Sequence, residues 1–291
     1  MDRPAQIHCY RGNVMKSAIA AIILVFMTTC TNIMAIRGPG PNIVSKVRKP
    51  VLSCADHRPM VAIVIDDIGR RAHDQEPFLA LPIPVTFSVF PNLPLSRQAI
   101  EKATVAGYEV WGHIPMEPIM ASVMEPDLKF LLVSDTPAGI REKLVNMLES
   151  LPDIKGINNH MGSRFTQDPG LMSVVIKVLK RRGLYFLDSR TTYLTMARAT
   201  AQSMHLPALR RDVFLDDIRD PTAVGASLDK LVQKALQKGC ALAIGHPFPE
   251  TALGISRWLK TSVRSKVRFV FASDLFSCPR FEDAVQCTPG E

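Results

Sequence analysis

The sequence lacks the short motifs that mark several common enzyme classes. It has no Cys-x-x-Cys pair, which argues against a thiolate metal site, and no His-Glu-x-x-His helix of the zincin proteases. A Gly-x-Ser-x-Gly elbow and a phosphate-binding glycine loop are also missing, which argues against a serine hydrolase and a nucleotide-binding enzyme. Aromatic residues make up only 7% of the chain and form no basic stripe, so we expect no nucleic-acid partner.

The composition that remains is that of a globular protein with a modestly charged surface. The chain has 291 residues, of which 47% are hydrophobic and 21% charged, enough for one large domain with appendages. The formal net charge is +8, and the basic residues are scattered. This pattern favours an ordinary solvated surface, with attraction to an anionic polymer or membrane surface as the alternative.

The first 36 residues resemble an export signal. An apolar run over 17–27 follows Lys16 and Arg11, and it is shorter than the roughly 20 apolar residues of a membrane span. We predict a signal peptide over 1–36, or an uncleaved anchor that would be the protein's only contact with a membrane. The protein is then exported, and periplasmic or associated with the cell envelope.

Three further segments follow the predicted leader. The stretch 37–58 is rich in Pro and Gly and is predicted to be a linker, 59–275 to be the folded domain, and 276–291 to be a polar tail. In an oxidising compartment, Cys278 and Cys287 are predicted to form a disulfide. Cys240 opens an apolar strand and is predicted to be a buried free thiol.

After Pro59, apolar strands alternate with amphipathic helices. Strands are predicted near 60–66, 85–90, 108–113, 154–159, 184–188, 209–215, 241–245 and 267–272, and helices near 95–106, 136–150, 169–182, 193–205, 221–238 and 249–264. Asp135 or Ser134 is predicted to cap the second helix and Asp168 the third, while Gly183 and Gly239 end helices. The alternation predicts an α/β protein with a parallel sheet, either open or closed into a barrel.

Polar residues collect at the ends of six predicted strands. They are Asp66 and Asp67; His113, then Glu117; Asn158, Asn159, His160 and Ser163; Asp188 and Ser189; Asp216 and Asp217; and His246. In an open sheet these groups would spread along an edge, whereas in a barrel they meet at one cavity. Their number therefore favours a barrel.

Such a cavity has the donors of a divalent-metal site. One carboxylate and two imidazoles can hold zinc or a similar ion and leave a position for water. A second carboxylate can act as general base and a further histidine as general acid, which suits hydrolysis of an amide or ester. Glu117 is as well explained by a loop contact as by a metal bond. Asp216 and Asp217, with Arg210, Arg211 and Arg219 nearby, are predicted to be a salt-bridged structural pair.

At these motifs the chain resembles the divergent polysaccharide deacetylase family, over about residues 59–275. The resemblance rests on Ile65-Asp66-Asp67-Ile68-Gly69, Gly112-His113-Ile114-Pro115-Met116-Glu117-Pro118, Asn158-Asn159-His160-Met161-Gly162-Ser163, Leu187-Asp188-Ser189 and Gly245-His246-Pro247. It implies a distorted (β/α) barrel of about seven strands in an exported protein that acts on cell-envelope glycans.

The resemblance also implies residue roles. Asp66 matches the family's general base, Asp67 and His113 match metal ligands, and His246 matches the late histidine that acts as acid. The related deacetylases place a second metal histidine four residues after the first, where this chain has Glu117. His160, which ends another strand, is the preferred third ligand, with Glu117 as the alternative.

Three functional hypotheses follow from these assignments. The first is a metal-dependent envelope deacetylase, with Asp188 orienting His246 or another site group, and with substrate or supporting hydrogen bonds from Glu117, Asn158, Asn159, Ser163 and Ser189. The second is a non-catalytic barrel that binds a glycan or a partner. The third is a glycosidase with paired carboxylates, for which Asp188 and Asp66 are the conceivable pair.

Overall fold

A computed structural model describes residues 56–278. The predicted leader, nearly all of the linker, most of the polar tail and Cys287 lie outside the described residues. Within 56–278, none of the helices combines the length and the apolar character that crossing a membrane requires.

The strands are parallel and follow the predicted order. They are β1 (Met60–Ile68), β2 (Thr86–Val89), β3 (Glu109–Met116), β4 (Gly156–Met161), β5 (Tyr185–Asp188), β6 (Ala208–Arg210), β7 (Val213–Phe214), β8 (Cys240–Gly245) and β9 (Arg268–Val270). Their order in the sheet is β6-β5-β4-β3-β2-β1-β8-β7, with β9 paired to β1.

The sheet closes into a distorted barrel because one predicted strand pairs with a different neighbour in each of its two halves. The prediction over 209–215 appears as β6, which pairs with β5, and β7, which pairs with β8. These two short strands are separated only by Arg211 and Asp212, so one extended segment joins both ends of the sheet. Counting it once gives seven strands around the barrel, as predicted. β9 pairs with the first residues of β1, Met60–Ala62, whereas β2 pairs with β1 from Val64 onward.

Helices connect the strands along the outside of the barrel. They are α1 (Glu76–Leu79), α2 (Ser96–Val105), α3 (Pro137–Glu149), α4 (Pro169–Arg182), α5 (Ala197–Ser203), α6 (Pro221–Lys238) and α7 (Pro249–Trp258). Four short 3₁₀ helices lie at Ala121–Val123, Phe165–Gln167, Ser262–Lys266 and Ala272–Ser277.

The helix boundaries confirm most of the capping predictions. Asp168 accepts hydrogen bonds from the first turn of α4, and Gly183 and Gly239 end α4 and α6 in the left-handed conformation. The cap predicted for α3 is wrong, because Thr136 rather than Asp135 or Ser134 accepts from Gly139 N. Asp135 instead binds Lys143.

Strand alternation divides the core into two layers. Val61, Ile63 and Ile65 of β1 belong to the large apolar cluster that includes the helices. Met60, Ala62 and Val64 belong to a smaller cluster that fills the barrel interior. Because side chains alternate along a strand, the interior series of β1 continues to Asp66.

The cysteine predictions are wrong within the described residues. Cys240, at the start of β8, forms a disulfide with Cys278, just after the last 3₁₀ helix. Both cysteines are fully buried in the interior cluster. The chain after β9 folds back against the barrel and brings Cys278 to Cys240, a contact that spacing along the sequence does not indicate.

Candidate functional site

The site begins at an irregularity near the end of β1. The register between β1 and β2 shifts between Ile65 and Ile68, and Asp67 adopts the left-handed conformation with φ of 59°. Regular alternation would turn adjacent carboxylates to opposite faces of the sheet. The irregularity instead allows both Asp66 and Asp67 to approach His113.

Asp67, His113 and His160 come together at the carboxyl ends of β1, β3 and β4. Asp67 Oδ1 lies 3.2 Å from His113 Nε2 and 3.2 Å from His160 Nδ1. The two imidazole nitrogens are 3.1 Å apart. The three atoms thus form a nearly equilateral triangle, and each belongs to a residue type that binds divalent metals.

This triangle fits a metal ion better than it fits a hydrogen-bond network. Asp67 Oδ1 is buried, and no donor among the described residues is aligned to hydrogen-bond with it. Around a tetrahedral ion with bonds of about 2.0–2.1 Å, ligand atoms lie about 3.3–3.4 Å apart, close to the spacings found here. Burial works to raise the pKa of Asp67, but His113 and His160 outweigh it and hold that pKa well below its usual range.

Asp66 lies beside the triangle and is held by Asn158. Asn158 Nδ2 donates to both Asp66 oxygens, at 2.9 and 3.0 Å, and to Ser189 Oγ at 3.1 Å. Its oxygen contacts His113 Nδ1 at 2.9 Å and accepts from Ser88. Asp66 is only 3% exposed, and this burial raises its pKa. Asp66 is therefore a carboxyl group that binds a proton more readily than an exposed one.

His246 faces the same cavity from β8 and is held by Asp216. Its Nδ1 lies 3.0 Å from Asp216 Oδ1, and its Nε2 lies 3.9 Å from Asp67 Oδ2. Asp216 also accepts from His246 N and Thr251 Oγ1. Burial works to lower the pKa of His246, but the contact with Asp216 raises it above its usual value.

An acidic residue and an aromatic ring support His160. Its Nε2 lies 3.1 Å from Glu125 Oε2, and Arg70 pairs with the same carboxylate at 2.7 Å. Phe90 packs against both His160 and His113, with ring centroids 4.8 and 5.0 Å away. Burial opposes protonation of His160, yet Asp67 and Glu125 raise its pKa to about 9.

The same end of the barrel exposes apolar side chains around the cavity. Seven of the ten exposed large hydrophobic residues in 56–278 lie in the loops that follow the carboxyl ends of β3, β5 and β7. These residues are Ile119, Met120, Val123, Tyr193, Leu194, Met196 and Ile218.

Comparison with protein-family models identifies the family of this chain. The family model described as "Divergent polysaccharide deacetylase" matches residues 63–276. The chain belongs to this family. The match spans β1 to the last 3₁₀ helix and therefore covers every strand that contributes to the cavity.

Two relatives and one solved structure accompany the family match. The chain is 34% identical over 223 residues to the uncharacterized protein YibQ of Escherichia coli (strain K12), spanning 76% of this chain and 69% of YibQ. It is 33% identical over 191 residues to an uncharacterized protein of Haemophilus influenzae, spanning 66% and 68% of the two chains. The crystal structure of ATU2773 from Agrobacterium tumefaciens C58 has the same fold, with a TM-score of 0.72, 23% identity, and coverage of 80% and 93%.

In this member of the divergent polysaccharide deacetylase family, some predicted site residues point away from the cavity. Asp188 was predicted to orient His246 or another site group, but its described side-chain hydrogen bonds come from Arg190 N and Thr195 Oγ1. It follows the interior residue Leu187 and therefore faces the outer side of β5, where burial raises its pKa.

Three other predicted site residues bond neighbouring loops rather than the Asp67–His113–His160 triangle; they are Glu117, Asn159 and Ser163. Glu117 accepts from Val133 N and pairs with Arg164 at 2.8 Å. Ser163 Oγ accepts from Ile119 N, and the Asn159 side chain bonds the backbone of residues 161 and 189. Ser189, by contrast, reaches Asn158 and lies in the cavity wall.

Asp216 and Glu125 contact the site in ways that were not predicted from the sequence. Asp216 was predicted to pair with arginines, but its described partners are His246 and Thr251. Its position two residues after Phe214, whose ring packs against the interior cluster, could have indicated an inward carboxylate. Glu125 lies in the loop after β3, and no periodic pattern marks it.

Proposed function

We propose that this protein is a metal-dependent hydrolase that removes acetyl groups from a polysaccharide or peptidoglycan-type glycan. The observation that supports this most is the triangle of Asp67 Oδ1, His113 Nε2 and His160 Nδ1, with sides of 3.1–3.2 Å. A buried acid and a carboxylate-bound histidine flank it. Membership of the family supplies the substrate class.

Asp67, His113 and His160 would hold a divalent ion, and zinc suits this ligand set. When bound, such an ion polarises a carbonyl oxygen and lowers the pKa of water. The other hydrogen-bonding position of each imidazole is already fixed, because Asn158 contacts His113 Nδ1 and Glu125 contacts His160 Nε2. These contacts orient the two rings toward the triangle.

Asp66 has the position and proton affinity of a general base. Its Oδ2 lies 3.7 Å from His113 Nε2, so it borders the triangle without being part of it. As water adds to the acetyl carbon, Asp66 accepts the proton that the water loses. Asn158 holds both carboxylate oxygens during this transfer.

His246 has the position of a general acid across the cavity. Contact with Asp216 favours the imidazolium form, whose Nε2 faces Asp67. When the bond between the acetyl carbon and the sugar nitrogen or oxygen breaks, His246 donates its proton to the departing atom. The products are acetate and the free amine or hydroxyl of the glycan.

The two rival functions differ in their structural support. The absence of a histidine at position 117 favours a non-catalytic role, but His160 on β4 offers a nitrogen within 3.2 Å of Asp67 Oδ1, which supports the catalytic one. A glycosidase would need Asp66 and Asp188 on either side of a sugar, whereas Asp188 bonds Arg190 N and Thr195. Export to the periplasm or envelope is part of the proposal and is supported by the pattern of residues 1–36.

Acetate release from N- and O-acetylated oligosaccharides, with and without a chelator, tests this function. We expect activity that the chelator removes and that zinc or another divalent ion restores. His113→Ala should lose both bound metal, measured by elemental analysis, and activity. His73→Ala is the matched control, because His73 is exposed and contacts Glu76 on α1. Glycan binding without acetate release under every metal tried would favour the non-catalytic role.

A further inference from the structure

Arg211 occupies the wall of the cavity at the point where the barrel closes. It follows β6 directly, two positions after the interior residue Leu209. Its Nε donates to Ser189 O at 2.6 Å, and Ser189 Oγ in turn accepts from Asn158. On its other side the guanidinium lies 4.7 Å from the ring centre of Phe214, which packs against His246. Arg211 is therefore linked to the proposed acid through Phe214, and to the proposed base through Ser189 and Asn158.

Arg211 has no carboxylate partner among residues 56–278. Its described hydrogen bonds go to two backbone carbonyls, Ser189 O from Nε and Arg190 O from Nη2. A guanidinium carries five N–H groups, so three of them have no acceptor in the described part of the protein. Arg70 and Arg164, in contrast, are each paired with an acid.

A second arginine adds to the positive charge at this wall. Arg190 follows β5 in the left-handed conformation, with φ of 53°, and its side chain has no ion pair within the described chain. Burial lowers the pKa of Arg211. Asp217, Asp66 and Asp188 act to raise it through their charges, and Arg190 lowers it by like-charge repulsion. An anionic group could accept from the N–H groups of Arg211 that have no described acceptor and match the fork of its guanidinium.

We propose that Arg211, with Arg190 beside it, binds a carboxylate or phosphate group of the substrate, so that the site acts on an anionic glycan. This inference rests on the proposed function and narrows its substrate class. The held anion positions the sugar that carries the acetyl group beside Asp66 and His246. Arg211 is then a specificity-determining residue and takes no part in proton transfer.

The test compares three forms of one N-acetylated β-1,4 tetrasaccharide: neutral, carrying carboxylates on alternate sugars, and carrying a phosphate. We expect wild-type kcat/KM to favour at least one anionic form about ten- to hundredfold, the range for losing hydrogen bonds to a charged group. The favoured form identifies the anion. Arg211→Gln should remove most of this preference, and Arg211→Lys should retain part of it.

Arg97→Gln is the matched control, because Arg97 is an exposed arginine on α2, and it should keep the preference. Thermal unfolding of each variant identifies any loss of fold. Equal use of neutral and anionic forms by the wild type, or an equal loss on all forms in Arg211→Gln, would overturn the inference.

If no form releases acetate, the proposed function fails, and calorimetric binding of the same oligosaccharides then decides the inference. Tighter binding of an anionic form that Arg211→Gln weakens would support it. Equal binding of neutral and anionic forms would refute it.

Discussion

The two ends of the barrel each contain a buried carboxyl group whose pKa is raised by burial. At the amino ends of the strands this is Glu109 on β3, and at the carboxyl ends it is Asp66 on β1. Both side chains face the barrel interior. Glu109 lies two residues before the interior residue Trp111 on β3, and Asp66 lies two residues after the interior residue Val64 on β1. The two ends differ in what surrounds these acids.

Donors surround Glu109 on every side. Its Oε1 accepts from Trp111 Nε1 at 2.7 Å, Thr86 Oγ1 at 3.1 Å and Ser273 N at 3.1 Å, while its Oε2 accepts from Ser273 Oγ. The bonds tie the last 3₁₀ helix to β2 and β3. This arrangement stabilises the fold.

At the carboxyl ends of the strands, one buried carboxylate oxygen lacks such donors within 56–278. Groups of types that can bind metals or transfer protons face one another around Asp67, whose Oδ1 has no aligned donor among the described residues. The comparison shows that burial of a charged group does not by itself indicate a functional site. What distinguishes the candidate site is that three potential metal-binding atoms converge there and that one of them, Asp67 Oδ1, has no aligned donor among the described residues.

Asp67→Asn should produce the largest effect and should affect function more than stability. Asn retains the size of the side chain and adopts left-handed backbone readily, but it is a poor metal ligand. We expect kcat/KM for acetate release to fall about 10³-fold or more, with loss of bound metal. Retained metal and activity would contradict the proposed site.

Glu109→Ala should do the reverse. It leaves the donors of Trp111 and Ser273 buried without an acceptor, so we expect the free energy of unfolding to fall by about 2–4 kcal/mol. Urea unfolding measures this loss, and activity per folded molecule should remain. A larger loss of activity than of stability would show that the two ends are coupled.

Glu109→Gln is the control for that variant and isolates its pH dependence. Burial raises the folded-state pKa of Glu109 above its ordinary 4.5, so its contribution is fully present below pH 4.5 and declines as pH rises through the folded value. Gln keeps the acceptor and cannot ionise. We therefore expect the stability of wild type relative to Glu109→Gln to decrease with rising pH, and a constant difference would refute the assignment.

Asp216→Asn should have a smaller effect than Asp67→Asn at the same end of the barrel. Asp216 raises the pKa of His246, so the imidazolium persists to higher pH. Loss of the charge should lower kcat by about 10- to 100-fold and move the high-pH limb of the rate profile to lower pH. Asp217→Asn, at the exposed neighbouring acid, is the control and should leave the profile in place.

Much of the fold could be predicted because it depends on local patterns. The continuous apolar run of β1 and the helix-ending Gly183 and Gly239 are readable within a few residues. The barrel was favoured because polar residues follow so many strands. By contrast, the partner change of the segment 208–214 and the pairing of Cys240 with Cys278 join residues from distant parts of the chain.

For the site, the sequence by itself determined which residue types stand at the carboxyl ends of the strands, because strand alternation and strand ends are local properties. Only the tertiary structure decided which of them meet. The register shift at Asp67 brings two adjacent carboxylates to one imidazole. Asp188 lies on the outward side of β5, and Asp216 contacts His246 in its place. The physical reason is that a metal or proton-transfer site depends on distances of a few ångströms between separate strands. Those distances follow from sheet register and barrel closure.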